Sequence, residues 1–265
     1  MGIAMGLTGT DITKQAADVI LADDNFSTII VAVEEGRRVF DNIVKFMVYL
    51  LSCNSAEIFL MLLSAVINVP LPYTAKSTLW ANIIADVPPA MSLGVEPKEP
   101  GLMTRKPRNP SHGVIRRDVA IAIVTQGFML TLITLAVYLI SFKIEQLPLD
   151  ISRTIAFTSL TTMQLVQSFM SKSITESVFK SGITSNRWMI FAFFLSLILM
   201  IMGIYIPYLN TFLTLVPIDA YAWLKVLIAV VVQFVLCELI KLVFRMVLKK
   251  KNYQPVPSVQ AMAQA

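Results

Sequence analysis

Histidine is almost absent from this sequence, with His112 alone, and cysteine is limited to Cys53 and Cys237. No Cys/His spacing suited to zinc exists, which argues against zinc, haem and histidine-based catalysis. Both cysteines fall within apolar segments, so a disulfide framework is not expected. Charge is scarce too. Asp, Glu, Lys and Arg make up 15% of the chain, against the ~25% usual for a soluble domain. No apolar leader opens the chain, and its first forty residues are rich in charge, so membrane insertion would rest on an internal helix. Internal repeats and low-complexity tracts are also lacking.

Apolar residues fill the space, at 56% hydrophobic with a mean hydropathy of +0.70. That composition indicates an all-α integral membrane protein whose first partner is the lipid bilayer. The net charge of +5 does not point to nucleic acid, because the basic residues sit beside apolar segments, where the positive-inside rule accounts for them.

Four regions are expected. Residues 1–26 are Gly-rich and short-period, like the edge of an α/β domain, and are too few to bury a core alone. A stalk helix over 27–43 starts wet and runs on into apolar sequence. Residues 43–245 hold six bilayer-length segments, near 43–67, 77–95, 118–142, 154–171, 187–212 and 222–245. A cytoplasmic tail, 246–265, closes the chain, disordered from Asn252 on. The second and fourth segments are short and polar, which suggests burial among other helices. The connection 96–118 carries Lys98, Arg105, Lys106, Arg108, Arg116 and Arg117. Lys172, Lys180 and Arg187 mark the 172–187 connection, and Lys241, Arg245 and Lys249–Lys251 the C-terminal end. The alternate connections are poor in basic residues, so both termini are expected on the cytoplasmic side. Trp80, Trp188 and Trp223 read as interface anchors, and Met163, Met170, Met189, Met200 and Met202 as packing or lipid-facing residues. Lys225 and Glu238 lie near the ends of the last segment, where they can snorkel. The pair Asp23 and Asp24 reads as a solvated turn or helix start.

Acids inside apolar segments carry the functional signal. Asn54 and Glu57 share one segment; Asn82 and Asp86 share the next. Residues three or four apart lie on one helical face, so each segment can aim two oxygen donors at one place. A carboxylate at membrane depth is costly and marks an ion or proton pathway by default. Asp86 precedes Pro88 and Pro89, which are expected to end or unwind the helix and free carbonyls nearby. Gln164, in a Ser/Thr-rich segment, reads as packing glue or as a neutral ligand from a third helix. Such an oxygen-rich, acidic pocket suits a hard cation. A proton-coupled secondary transporter would use the same acid pair, but would favour inverted repeats.

The N-terminal string Met1-Gly-Ile-Ala-Met-Gly, the run Ala17-Asp-Val-Ile-Leu-Ala-Asp-Asp-Asn-Phe26 and Glu34-Glu-Gly-Arg-Arg-Val-Phe-Asp-Asn42 carry a family likeness. They resemble the end of the phosphorylation domain of type II P-type ATPases and its stalk into the fifth membrane helix. Leu79-Trp-Ala-Asn-Ile-Ile-Ala-Asp86 and Ser92-Leu-Gly-Val-Glu-Pro97 resemble the sixth helix and the loop after it. The likeness covers nearly the whole chain, is most specific up to residue 108, and is nearest to the calcium pumps of the endoplasmic reticulum and secretory pathway.

That resemblance implies the fifth to tenth membrane helices of such a pump, with a short α/β remnant of the phosphorylation domain. By motif, Asn54, Glu57, Asn82 and Asp86 match cation ligands. Ala85 stands where the family has threonine, and Gln164 where the eighth helix has glutamate. Both departures weaken one of two calcium sites and imply a single-site pump, although secretory-pathway pumps generally lack the acid kept here as Glu57. Ca²⁺ is the first transported ion to expect, with sodium or potassium second. ATP and Mg²⁺ would act only in the full-length parent. No Asp-Lys-Thr-Gly phosphorylation motif occurs in the sequence, so the enzyme would need an N-terminal portion as its partner. A reticulum-like, Golgi-like or plasma membrane is expected. The alternative is a truncated, non-catalytic membrane subunit or interaction protein.

Overall fold

The computed structural model describes residues 2–99, 101–104, 114–173 and 177–252, without the side chains of 180, 181 and 247–252. His112, Arg105, Lys106, Arg108, the side chains of Lys180 and Lys249–Lys251, and residues 253–265 of the expected tail therefore lie outside the described residues.

The N-terminal unit is one βαβ turn of chain. Strand β1 (Ile3–Met5) pairs in parallel with β2 (Val19–Leu21), Ile3 opposite Val19. Helix α1 (Asp11–Ala16) bridges them, with the Thr10 side chain accepting from the Thr13 amide at its start. Asp24, at φ +52°, closes the unit. Its carboxylate accepts from the Leu7 and Thr8 amides and the Thr8 hydroxyl, at 2.8, 2.8 and 2.7 Å. The Thr8 hydroxyl bond first, then the Leu7 amide, lowers the carboxyl from its usual 3.8 to about 2. A depressed folded pKa means that the clasp is fully present above the ordinary carboxylate range and is lost as pH falls through about 2. Hydrogen exchange at the Leu7 and Thr8 amides should accordingly quicken between pH 4 and 2, and Asp24→Asn should quicken it at neutral pH. Asp23 lies two residues ahead of the next helix's cap, Asn25, and accepts from the Asn25 amide at 3.2 Å and the Thr28 hydroxyl at 2.6 Å.

Helix α2 (Phe26–Val66) is a single 41-residue rod. Asn25 caps it by accepting from Ser27 N, and no proline interrupts it. It runs without a joint from residue 26 through the first apolar segment. A loop then leads to α3 (Ala75–Ala81), capped reciprocally by Thr74 and Ser77. Next come a π-helical turn, Asn82–Asp86, and α4 (Val87–Gly94). Helix α5 (Arg117–Leu139) ends in a second π-turn, Ile140–Ile144. Beyond it lie α6 (Leu149–Met170), the short α7 (Val178–Ser181), α8 (Arg187–Tyr205), α9 (Pro207–Leu213) and α10 (Ala220–Asn252).

Among the described residues, four helices are long and apolar enough to cross a membrane: Phe26–Val66, Arg117–Ile144, Arg187–Tyr205 and Ala220–Met246. Two of the six expected segments do not meet that standard, and each has a physical reason. The second is cut into α3, the π-turn and α4. The fourth, α6, starts earlier than expected, at Leu149, and is polar where it is buried. Thr154, Thr158, Ser159, Thr161, Gln164, Gln167 and Ser168 are all fully shielded. Its hydroxyls largely bond back along the helix, as from Thr158 to the Thr154 carbonyl at 2.7 Å. The surrounding helices turn apolar side chains outward instead, among them Ile58, Leu62, Phe191, Ile198, Leu227 and Val231. The bundle is thus polar at its centre and apolar at its rim, with α6 packed against α5, α8 and α10.

Two other expectations need correcting. The fifth segment stops at Tyr205, because Ile206, preceding Pro207, is extended at φ −81°, ψ 120°. The last helix does not end near 245 but continues to Asn252, past the expected start of the tail. The methionines divide as well. Met163, Met170, Met189 and Met200 are buried and pack, while Met202 is exposed. At the end of the last segment, Glu238 accepts from the Val178 amide at 3.1 Å, and Lys225 pairs with Glu145.

Helices α2 and α5 pack together over the greatest extent, and Gly127 permits a close approach. A Cβ there would lie 3.0 Å from both the Ser52 carbonyl oxygen and Ser55 Cβ. One turn on, the Thr131 hydroxyl donates to the Ala56 carbonyl at 3.1 Å. Gly127→Val should force the helices apart and cost about 1–3 kcal/mol by overpacking, read as a lower melting temperature of the detergent-solubilised protein.

Candidate functional site

Glu57 and Asp86 are each 7% exposed and sit on different elements, mid-α2 and the end of the first π-turn. Among the described residues neither carboxylate has a Lys or Arg partner within ion-pair distance. Their partners are amides. Asn54 Nδ2 donates to Asp86 Oδ2 at 3.1 Å and to the Leu50 carbonyl at 2.8 Å. Gln164 Nε2, from α6, donates to Glu57 Oε1 at 3.0 Å. The Asn82 amide, with its nitrogen turned inward, lies 3.0 Å from both Glu57 oxygens.

The pairing is therefore crossed. The sequence suggests that each helix aims its own acid and amide at one place. The structure instead sets Asn54 of α2 against Asp86 and Asn82 of the π-turn against Glu57, drawing the two elements into one pocket. All five residues singled out from sequence meet there, including Gln164. Asp86 Oδ1 and Gln164 Oε1 are buried with no hydrogen-bond partner among the described residues. Buried oxygens without donors cost free energy, which a bound cation would relieve.

The π-turn gives the pocket its shape. Pro88 and Pro89 do not unwind the helix, contrary to expectation. They occupy the first turn of α4, which runs on from the π-turn in right-handed helical backbone, so their missing N–H groups leave carbonyls upstream without their usual partners. The disturbance moves upstream, into the wider turn Asn82–Asp86, and π-turns of this kind recur at functional sites. One carbonyl that an α-helix would pair with residue 89 is that of Ala85. The Tyr49 hydroxyl of α2 donates to it instead. Tyr49 is fully buried and is the site residue that sequence reasoning missed. A lone tyrosine five residues before Asn54, inside an apolar run, is the signal that could have found it.

A second polar feature joins three amides outside the candidate set. Gln126 of α5, Gln167 of α6 and Gln233 of α10 form a buried amide chain. Gln233 Nε2 donates to Gln167 Oε1 at 3.1 Å, and Gln167 Nε2 to Gln126 Oε1 at 2.8 Å. The chain cross-links three helices beside the pocket, as amides do where helices pack in lipid. Trp80 packs against α8, its Nε1 lying 2.8 Å from where a Cβ on Gly203 would sit, so it acts here as a packing residue.

Two carboxylates, three amides and no nearby cation make a donor set of hard oxygens. No group of three or more His, Cys, Asp or Glu that could hold a metal ion occurs among the described residues. The chemistry of the set suits a hard cation.

Residues 70–243 match the family described as "Cation transporting ATPase, C-terminus". The chain is 38% identical over 227 residues to a "Calcium-transporting ATPase" of Bacillus subtilis, covering 86% of this chain and 25% of that protein. It is 37% identical over 208 residues to "Calcium-transporting ATPase type 2C member 1" of Homo sapiens, covering 78% and 22%. With type 2C member 2 of Rattus norvegicus it shares 35% over 257 residues, covering 97% of this chain and 27% of the relative. The chain thus spans about a quarter of the length of these relatives.

Proposed function

From the premise that this chain belongs to the P-type cation-transporting ATPases, as their C-terminal membrane part, we propose that it holds the transported cation, Ca²⁺, while ATP-driven chemistry elsewhere in the complete pump opens the pocket to alternate sides. The carrying observation is the crossed pocket, in which two buried carboxylates are met only by amides, and Asp86 Oδ1 and Gln164 Oε1 lack donors. Asn54, Glu57, Asn82, Asp86 and Gln164 are the ligands of this reading. Ca²⁺ takes six to eight oxygens, so other parts of the pump and water complete its shell.

Six membrane-crossing segments follow on this reading, the interrupted α3–α4 unit and the polar α6 being shielded by the other four. Both termini lie in the cytoplasm, in line with the basic connections. Residues 1–26 belong to the phosphorylation domain and 27–43 to the stalk. ATP and Mg²⁺ bind outside this chain. Residence in a secretory-pathway membrane accords with the type 2C relatives.

An alkali-cation pump is the second reading, favoured by the supply of only two carboxylates. Phosphoenzyme formation from ATP by the complete protein decides between them. Micromolar Ca²⁺ should stimulate it and a chelator should abolish it. Stimulation by Na⁺ or K⁺ in the presence of chelator would overturn the calcium assignment.

A further inference from the structure

Lys172 and Glu96 are buried charges that the cation pocket does not use, at 2% and 4% exposure. They face each other at 3.1 Å where three parts of the fold converge. Lys172 lies just past the end of α6, about two helical turns beyond Gln164. Glu96 lies just past α4, ten residues after Asp86. The stalk half of α2 passes beside them at Asn42.

Every hydrogen of the Lys172 ammonium has a recipient: Glu96 Oε1, the Gly182 carbonyl at 3.0 Å and the Ser185 hydroxyl at 2.8 Å. Glu96 Oε2 accepts from Asn186 Nδ2 at 2.8 Å. The same amide also donates to the Ser92 carbonyl at 2.8 Å, while Asn186 Oδ1 caps the start of α8. Asn42 Nδ2 reaches the carbonyls of Gly94 and Glu96 at 3.1 and 2.9 Å. The last carbonyls of α4, which a helix end leaves unpaired, are thus held by side chains from the stalk and from the start of α8.

A buried ion pair is weak evidence for stability and better attested as a device that fixes register. The elements joined at this pair are the one bearing Asp86, the one bearing Gln164 and the stalk. We propose that Lys172, Glu96, Asn186 and Asn42 form a clamp of positioning residues that moves the Asp86 and Gln164 helices as one body when the stalk moves. The clamp rests on the cation-pump reading. Asp86 and Gln164 reach the pocket from different elements, the π-turn and α6, so a relative slide of those elements would open the oxygen shell. Locking both to the stalk lets one displacement load or empty the pocket.

The test uses the complete protein carrying Glu96→Gln, Lys172→Met, the two combined, or Asn42→Ala. For each, the cation concentration that half-saturates phosphorylation and the rate of ATP-driven uptake are measured. Each pair-breaking variant should raise the half-saturating concentration at least tenfold. The combined variant should be no worse than threefold beyond the poorer single one, because neither charge is then left alone. Asn42→Ala leaves the ion pair intact, so it should keep cation affinity within twofold yet slow uptake at least tenfold. Should the charge variants fail to fold, Asn42→Ala carries the test by itself. Uptake and affinity within twofold of the unaltered protein in Asn42→Ala and the single variants would overturn the clamp while leaving the pump reading intact. Absence of cation-stimulated phosphoenzyme in the unaltered protein would instead overturn the pump reading, and the clamp with it.

Discussion

Asp86→Asn in the complete protein should abolish cation-stimulated phosphorylation from ATP, a loss of at least a hundredfold. The substitution keeps size and removes one of only two charges facing the cation. It also replaces Oδ1, the oxygen with no donor in the pocket, or Oδ2, the acceptor of Asn54, with an NH₂ group. An amide nitrogen pointed at a divalent cation repels it, and a buried donor pointed at Asn54 Nδ2 has no acceptor. Each lost charge contact at low dielectric is worth several kcal/mol, and about 1.4 kcal/mol is a tenfold change in affinity. Phosphorylation from ATP titrated with cation reads the effect. The reverse reaction, from inorganic phosphate in chelator, should persist because it needs no bound cation in this scheme. Normal cation stimulation in the variant would sink the ligand assignment.

Tyr49→Phe should weaken apparent cation affinity by about ten- to a hundredfold without changing any ligand. The hydroxyl stands in for the hydrogen bond that Pro89 cannot give to Ala85. Removing it leaves a buried carbonyl with no donor, a penalty of about 1–3 kcal/mol. That penalty falls on the turn that presents Asn82 and Asp86. The turn would relax toward another pitch, and a change of pitch rotates the two side chains relative to one another. Maximal phosphorylation at saturating cation should remain close to that of the unaltered protein, since the ligands are all still there. A variant with unchanged half-saturation would show that the turn holds its shape without Tyr49.

The chemistry of the pocket was legible in sequence because acids and amides are rare in apolar segments. Glu57 and Asp86 are conspicuous for that reason, and Gln164 for sitting in a Ser/Thr-rich stretch. Their pairing was not legible. Spacing within one helix reports which residues share a face, whereas the crossed contacts Asn54–Asp86 and Asn82–Glu57 depend on how two elements meet. The π-turn escaped for a related reason: prolines signal a missing donor, but not whether the chain unwinds at them or widens before them. Tyr49 went unread because a tyrosine in an apolar run is ordinarily a packing residue. Lys172 and Glu96 read as loop charges. Only the fold brings them together, across 76 residues of sequence. The 41-residue α2 was plain from its unbroken pattern, while the end of α10 was not, because helix can continue into charged sequence without changing type.

The polarity of α6 has a consequence for how the protein is made. A segment whose buried residues are hydroxyls and amides has little reason to leave the insertion machinery for lipid by itself. Its neighbours α5, α8 and α10 are the apolar ones, and two of them are synthesised after it. On the six-segment reading, the growing chain must therefore keep α6 sheltered, beside α5 or within the translocation channel, until α8 and α10 arrive to enclose it. Assembly order, and not only final packing, is written into which helix carries the serines and threonines.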